Sequence, residues 1–444
     1  MNRTYIADAI KSAGQQVLVQ GFVDNFRDSK HMAFIILKDI TEKIQITIEK
    51  ESHPDLSDVL AQLTNDSVIS VRGIVKQDDY VKLHGVEIEP VSIKIESIAE
   101  PLPITRKAIP ATKKKAALER SGIDQRIDYR WIDLRTDENQ LMFKVQTVMV
   151  NCMRQYLLER GFLEIHSPKL IGAASESGAD VFKVDYFDQN AYLAQSPQFY
   201  KQMAMASGFD RIFEVGPVFR AEKSFTNRHT TEFTGFDLEF SYIDSFQDVM
   251  DMEAALLTHM LSEVKQKYGE QIKEQFGSEV IVPALPFPTV DLHDLYAELE
   301  RRYGYTIEEN EKGDLTTEAE QLSYKWVQEI YGHEFLFVTG FSSDKRAFYH
   351  MRDDQNHSMG YDLIWRGVEI TTGAQREHRY DILKKQADEK GLGEDVKFYL
   401  EFFKYGCPPH GGFGVGVDRL TMLLLNLTIK EAMFIFRGPN HLNP

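Results

Sequence analysis

The sequence predicts an α+β protein, with a small N-terminal β-barrel followed by a larger domain built on a mixed, mainly antiparallel sheet flanked by helices. Residues 17–98 contain five short segments of alternating apolar and polar residues. From residue 137 onward, long helical segments and strands follow each other without the regular alternation that a parallel sheet requires. The 444 residues give room for about two or three domains, each able to bury a core.

The N-terminal segments read as strands because Gly, Asp and Asn stand at the breaks between them. A helix is expected at residues 54–63, between the third and fourth strands. Five strands with this interruption suit a Greek-key barrel of the oligonucleotide-binding (OB) type. Many small barrels share the strand count, so the pattern alone does not identify a ligand.

We expect three regions along the chain: a barrel at 1–100, a linker at 101–122 and the larger domain at 123–444, with a small insertion around 277–340. The linker contains three prolines and the lysines at 113–115. A solvated spacer and a segment that contacts phosphates both remain open for it.

Composition excludes several classes of protein. No run approaches the roughly 18 apolar residues that a membrane span needs, and the N-terminus lacks the apolar core of a signal peptide, so we expect a cytoplasmic protein. Cys152 and Cys407 are too few for a cysteine zinc site and are expected to be buried as small apolar residues. The formal net charge of −17 argues against a surface coated for nonspecific nucleic-acid binding.

A strand–loop–strand segment at residues 219–240 contains Arg220 and Glu222, which are two residues apart and therefore face the same side of a strand. Facing a pocket, the pair would hold a phosphate and a base amino group. On this segment alone, a cross-strand ion pair is the preferred interpretation.

Residues 411–420 contain four glycines followed by Arg419 at the start of a helix. Glycine permits close approach of the backbone to a ligand, and an arginine at a helix start suits a phosphate. The spacing is not that of the dinucleotide-binding fingerprint. A glycine-kinked core strand is the alternative.

A turn at residues 365–367 would fold two strands together and bring Asp362 and Glu369 within cross-strand or diagonal reach. Two carboxylates that close repel each other unless a cation or a proton lies between them. Mg²⁺ usually takes one or two carboxylates plus phosphate oxygens, so the hairpin is a candidate magnesium site. A surface hairpin is the alternative.

Lys201 lies in an otherwise uncharged run at residues 190–206. A buried cation is costly without an anionic partner. Together with Arg376, Lys201 would make a pocket for an acidic small molecule.

In this order along the chain, the segments resemble the class II aminoacyl-tRNA synthetases, and within them the aspartyl-type enzymes of compact archaeal and eukaryotic form. Residues 161–170 are similar to the first motif of that family, 219–239 to the second and 412–420 to the third. The resemblance implies an anticodon-binding OB domain and a class II catalytic domain. It also implies activation of L-aspartate by ATP and Mg²⁺ to aspartyl-adenylate, and transfer to tRNA.

The resemblance also implies roles for single residues. For ATP these are Arg220 at the α-phosphate, Glu222 at the adenine amino group, Phe233 stacked on the adenine, Arg228 and His229 near the outer phosphates, Arg419 at the γ-phosphate, and Glu369 and Gly416. For aspartate they are Lys201 and Arg376 at the side-chain carboxylate, helped by Gln198, with Thr372 nearby and Glu176 on a closing loop. The remaining roles are Asp362 and Glu369 for magnesium, Arg27, Phe34 and Gln45 for the anticodon, and Pro168 for a homodimer interface.

Two other functions stay open. Asparaginyl-tRNA synthetase is the first, and aspartate is preferred over it because asparagine would leave two buried cations without a counter-charge. The second is a paralogue that binds RNA or a metabolite without charging tRNA, since residues 25–32 and 436–444 depart from the family pattern. The chain is also compatible with charging of both tRNA(Asp) and tRNA(Asn), which would require a partner amidotransferase.

Overall fold

The computed structural model describes residues 2–108, 117–172, 181–221, 223 and 229–444. The chain divides into two compact units, Met1–Ser121 and Gly122–Pro444. Among the helices within those ranges, none has both the length and the hydrophobicity needed to cross a bilayer.

The first unit is a closed five-stranded barrel, which confirms the predicted OB-type fold. Its strands follow the order β1-β2-β3-β5-β4, and β1 pairs with β4 to close the barrel. A 3₁₀ turn at 54–56 and a short helix lie between the third and fourth strands, where the sequence predicts a helix. The elements are α1 (Ile6–Ala9), β1 (Gln16–Asp28), β2 (Met32–Lys38), β3 (Lys43–Glu49), α2 (Ser57–Gln62), β4 (Val68–Gln77) and β5 (Val86–Ser97).

The second unit is built on an eight-stranded sheet, which confirms the mixed, mainly antiparallel prediction. Its strands are β6 (Leu163–Glu164), β10 (Arg211–Phe219), β11 (Glu232–Ser241), β12 (Thr289–Asp291), β13 (Phe335–Thr339), β14 (Gly360–Trp365), β15 (Val368–Arg376) and β16 (His410–Gly416). They run in the order β12-β13-β14-β15-β16-β11-β10-β6, and only the β6/β10 and β12/β13 pairs among these are parallel. A separate small sheet contains β7 (Leu170–Ile171), β8 (Lys183–Tyr186) and β9 (Gln189–Leu193).

Two long helices cover one face of the large sheet. The Thr136 side chain caps the first by accepting from the Asn139 amide, and the second ends at Gly277 with φ 64°, a conformation that glycine adopts without strain. The helices are α3 (Ile123–Asp128), α4 (Arg130–Asp133), α5 (Asp137–Leu158), α6 (Gln198–Ala206), α7 (Phe246–Phe276), α8 (Leu292–Tyr303), α9 (Thr317–Tyr331), α10 (Tyr380–Glu389), α11 (Lys397–Glu401), α12 (Val417–Leu424) and α13 (Ile429–Ala432).

The core lies between the sheet and the helices α5 and α7. Phe236 and Leu238 of β11 belong to it and are fully buried, together with residues of both helices. Because side chains of a strand alternate between the two faces, the residues of β11 that alternate with Phe236 and Leu238 project to the opposite face of the sheet. That face carries the candidate site.

The region from 277 to 340, expected as a small insertion, contributes to the main sheet. Its strands β12 and β13 form one edge of the sheet, and β13 pairs with β14. Helices α8 and α9 pack there around a local core that includes Leu295, Trp326 and Val338.

Candidate active site

A cavity of about 300 Å³ lies on the face of the sheet away from α5 and α7. Its wall is formed by residues of α6, β10, β11, β15, β16 and α12 and of the segments between them. The structure brings many of the predicted site residues together on that wall: Gln198, Lys201, Arg220, His229, Phe233, Glu369, Thr372, Arg376, Gly416 and Arg419.

The other predicted residues are not among those that the structure describes on this wall. Glu176, Glu222 and Arg228 fall outside the described residues, as do the lysines at 113–115. The anticodon candidates belong to the first unit, and Pro168 is exposed between β6 and β7.

Lys201 of α6 is only 1% exposed and is paired with carboxylates of β11. Its ammonium donates to Asp237 Oδ1 at 3.0 Å and to the Phe413 carbonyl at 3.2 Å, and lies 3.5 Å from Glu239 Oε2. Asp237 and Glu239 are alternate residues of one strand, so both carboxylates project from the same face. The anionic partner that a buried lysine requires is therefore supplied by β11.

Arg376 is held by the same strand. Its Nε donates to Glu239 Oε1 at 2.9 Å and its Nη2 to the Gly412 carbonyl at 2.7 Å. Glu239 Oε2 lies 3.5 Å from both Arg376 Nη2 and Lys201 Nζ. Burial alone would raise the pKa of Glu239, but the neighbouring Arg376 and Lys201 outweigh it and hold that pKa below its usual value. The two cations thus meet at one carboxylate and line one cavity.

This arrangement corrects one sequence-based expectation. The expectation that asparagine leaves two buried cations without a counter-charge is wrong, because Asp237 and Glu239 already neutralise Lys201 and Arg376. Two cations and two carboxylates leave the cluster without net charge. Selectivity between the two amino acids must depend on which hydrogen-bonding atoms face the cavity.

The glycines of β16 make room for those carboxylates. In the antiparallel register, Gly412 faces Glu239 and Gly414 faces Asp237. A Cβ at Gly412 would stand 2.4 Å from Glu239 Oε2, and one at Gly414 would stand 2.4 Å from Asp237 Oδ1. The close approach that these two glycines permit is therefore to acidic side chains of the protein and, at Gly412, also to the Leu238 carbonyl oxygen.

Two arginines and an aromatic ring line the same cavity. The Arg220 guanidinium lies 5.5 Å from the centre of the Phe233 ring. Arg419 Nη1 donates to the Glu369 carbonyl at 2.8 Å, which ties the start of α12 to β15. Two guanidinium groups on one wall suit a polyanionic ligand, and a flat ring beside them suits a base.

The hairpin of β14 and β15 brings two carboxylates to one hydroxyl. Thr372 Oγ1 lies 3.0 Å from Asp362 Oδ1 and 3.1 Å from Glu369 Oε1. Burial, followed by the charge of Asp362, raises the pKa of Glu369 to about 7. The two carboxylates therefore lie within reach of one side chain, and the raised pKa shows that Glu369 is favoured by a nearby cation or by a proton.

Arg346 is a residue that the sequence pattern did not reveal. Its Nη1 and Nη2 donate to Asp362 Oδ1 at 2.8 Å and Oδ2 at 2.6 Å, and its guanidinium lies 3.7 Å from the Phe341 ring centre. Burial opposes the charge of Arg346, but Asp362 outweighs it and raises the pKa of the guanidinium. Asp362 is thus already paired with a cation of the protein, Arg346. Of the two acids, only Glu369 belongs to the described cavity wall.

The three anticodon candidates lie together on the outside of the barrel. Arg27 of β1 pairs with Phe34 of β2, and the guanidinium lies 5.5 Å from the Phe34 ring centre. Gln45 of β3 pairs with the next outward residue of β2 and donates to Glu87 at 3.1 Å. An aromatic ring beside a cation is the arrangement on which an unpaired base stacks.

Comparison with known proteins identifies both units. Residues 122–436 match the family described as tRNA synthetases class II (D, K and N), and residues 17–100 match the OB-fold nucleic acid binding domain. The chain is 39% identical over 444 residues to the aspartate–tRNA(Asp/Asn) ligase of Methanopyrus kandleri, covering 99% of each chain. It is 38% identical over 452 residues to the aspartate–tRNA(Asp) ligase of Thermococcus kodakarensis, covering 100% of both.

Solved structures agree in fold over the same length. The asparaginyl-tRNA synthetase from Pyrococcus horikoshii, complexed with asparaginyl-adenylate, matches with a TM-score of 0.88 at 28% identity and covers 100% of both chains. The aspartyl-tRNA synthetase from Entamoeba histolytica matches with a TM-score of 0.87 at 32% identity, covering 100% of this chain and 93% of that one. The chain therefore belongs to the class II aminoacyl-tRNA synthetases and, within them, to the aspartate–tRNA ligases.

Proposed function

We propose that the cavity activates L-aspartate with ATP and that the product is transferred to tRNA(Asp). The observation that carries the proposal is the meeting of Lys201 and Arg376 at Glu239, on the wall that also holds Arg220 and Arg419. The first pair supports binding of a side-chain carboxylate through its hydrogen-bond donors, and the second supports binding of a polyphosphate. An enzyme that joins an acidic amino acid to a nucleotide needs both in one cavity.

The reaction takes two steps. The α-carboxylate of aspartate attacks the α-phosphorus of ATP, which gives aspartyl-adenylate and releases pyrophosphate. A terminal ribose hydroxyl of tRNA then attacks the activated carbonyl and releases AMP. No side-chain nucleophile is needed, so Arg220 at the α-phosphate and Arg419 at the γ-phosphate act by positioning and by neutralising charge. Phe233 stacks on the adenine, with His229 near the outer phosphates and Gly416 beside the nucleotide.

The acidic pair fits a magnesium ion. Glu369 is a buried carboxylate on the cavity wall, and Thr372 and Asp362 lie beside it. Mg²⁺ binds one or two carboxylates together with phosphate oxygens and would supply charge neutralisation for the triphosphate. Glu369 would hold the ion, and Asp362 would join it only where Arg346 gives way.

Preference for aspartate over asparagine follows from hydrogen-bond donors. The Lys201 ammonium and the Arg376 guanidinium are donors only, so a carboxylate can accept from both. The amide of asparagine has one acceptor oxygen, and its NH₂ would face a second donor. A site built on such polar pairing rejects the mismatched ligand by about 10⁴ or more.

The barrel supports recognition of the anticodon through Arg27, Phe34 and Gln45. We also propose a homodimer with Pro168 at its interface. A cytoplasmic location, and the link to an amidotransferase that charging of tRNA(Asn) would require, stay predictions.

Charging of two purified transcripts, tRNA(Asp) and tRNA(Asn), tests this function. We expect aspartylation of tRNA(Asp), and Phe34→Ala should lower kcat/KM for charging about 5- to 150-fold, since stacking of one base contributes about 1–3 kcal/mol. The same variant should leave ATP–pyrophosphate exchange unchanged. Ile74→Ala, which removes an exposed apolar side chain elsewhere on the barrel, is the control. Aspartylation of neither transcript would contradict the proposal, and aspartylation of tRNA(Asn) would establish the need for an amidotransferase.

A further inference from the structure

A series of buried hydrogen bonds leads away from Gln198 on the cavity wall. It passes through Gln202 to Tyr399 and His410, none of which takes part in the reaction described above. Gln202, Tyr399 and His410 are all 0% exposed. We call these three residues the Gln202 relay. In the sequence they are far apart, since His410 lies 208 residues beyond Gln202.

His410 defines the direction of the hydrogen bonds. Its Nδ1 lies 2.8 Å from the Pro408 carbonyl, which can only accept, so Nδ1 carries the proton. Burial lowers the pKa of His410 to about 4, so the ring is neutral at physiological pH. Its Nε2 is then a hydrogen-bond acceptor.

The orientation of the Gln202 amide follows. Its Nε2 lies 3.0 Å from His410 Nε2, and an acceptor at that position requires the NH₂ group of Gln202. Gln202 Oε1 therefore points the other way, where it accepts from the Tyr399 hydroxyl at 2.9 Å and from Gln198 Nε2 at 2.9 Å. The Tyr399 hydroxyl agrees with this orientation because it has a proton to donate.

Gln198 is oriented in turn. Because Gln202 presents an oxygen, Gln198 must use its NH₂ group to reach it. The other end of the Gln198 amide is then its oxygen, an acceptor, on a side chain that lines the cavity. An acceptor does not bind a carboxylate, so the side-chain carboxylate of aspartate is an unsuitable partner for it.

We propose that Gln202, Tyr399 and His410 are positioning residues that hold Gln198 with its Oε1 toward the bound amino acid. This inference rests on the proposed function. The only nitrogen donor that free aspartate offers is its α-ammonium group, so Gln198 binds that group, while Lys201 and Arg376 bind the side-chain carboxylate. By fixing the orientation of Gln198, the Gln202 relay thereby gives the α-ammonium group and the side-chain carboxylate of aspartate different binding partners within one small cavity.

Two substitutions of Gln202 separate this orientation from its reverse. Gln202→Leu removes all three hydrogen bonds of the amide, to Gln198, Tyr399 and His410, and so releases Gln198. Gln202→Glu keeps an acceptor oxygen toward Gln198 and Tyr399, and its second oxygen can bind His410 once either group takes up a proton. If Gln202 instead presented its NH₂ to Gln198, the glutamate would lose that contact and would behave like the leucine.

Calorimetric titration of the full-length protein with aspartate and with succinate, which lacks the ammonium group, provides the readout. We expect Gln202→Leu to weaken aspartate binding about 10- to 100-fold, the size of a hydrogen bond to a charged group, and to leave succinate binding unchanged. Gln202→Glu should bind aspartate within about threefold of the wild type. Met203→Leu, an exposed position on the same helix, is the matched control.

The outcomes are distinguishable. Equal loss of aspartate and succinate affinity in Gln202→Leu, or loss of aspartate affinity in Gln202→Glu, would overturn the relay while leaving the proposed function intact. A wild-type protein that binds no aspartate would overturn the proposed function itself. If the leucine variant fails to fold, as its melting curve would show, the glutamate variant decides the question alone.

Discussion

Lys201→Met should abolish activation of aspartate and also destabilise the second unit. The variant leaves Asp237 and Glu239 buried with Arg376 as their remaining partner in the cluster. Breaking a buried ion pair by removing one member costs about 3–5 kcal/mol. Loss of one of the two donors that we propose for the side-chain carboxylate of aspartate should lower aspartate-dependent ATP–pyrophosphate exchange on the order of 10⁴-fold. Urea unfolding and exchange kinetics measure the two effects.

A second substitution separates stability from recognition. Lys201→Met with Asp237→Asn restores charge balance, so the unfolding free energy should recover while exchange remains lost. Lys169→Met is the matched control, because its ammonium is paired with buried Glu214 at 2.6 Å and does not line the cavity. It should lower stability without changing the preference for aspartate. Aspartate-dependent exchange that survives in Lys201→Met would show that Lys201 does not bind the substrate.

Arg220→Ala should lower the exchange rate constant about 10²- to 10³-fold, comparable to the loss of one oxyanion-hole donor. In the proposed function its guanidinium neutralises charge that develops on the α-phosphate, so the effect should appear in kcat. Aspartate affinity measured by calorimetry should stay unchanged, and so should the melting temperature, because the side chain is exposed. Exchange kinetics at saturating ATP provide the measurement.

Arg211→Ala is the control for Arg220, since it removes an exposed arginine at the other end of β10. It should leave exchange within about twofold of the wild type. If Arg220→Ala also stays within that range, Arg220 has no part in the reaction.

Much of the fold follows from local sequence patterns. The barrel strands can be predicted from the sequence because alternate side chains, such as Ala33, Ile35 and Leu37, enter the core. The apolar residues therefore recur with the period of two that is typical of a strand. Helix α5 is readable from its start, where Thr136 provides the cap. The hairpin of β14 and β15 is readable from Gly367, whose φ of 78° favours glycine in the turn.

The site is only partly readable, because its hydrogen bonds connect distant segments. Asp237 and Glu239 leave a usable signal, namely two acids that alternate with apolar residues over 236–240, which points to buried counter-charges. Arg346 leaves none, since its pairing with Asp362 depends on where a loop meets β14. The contact of Gln202 with His410 joins residues that are 208 positions apart in the second unit. Only the folded structure brings them together, so no local sequence pattern reveals the contact.

Wild-type exchange with aspartate and with asparagine, compared at equal ATP, tests the assignment of the cavity most directly. Donors from Lys201 and Arg376 should give aspartate a kcat/KM about 10⁴-fold above that of asparagine. ATP–pyrophosphate exchange that proceeds equally well with asparagine would contradict the assignment of the cavity to aspartate.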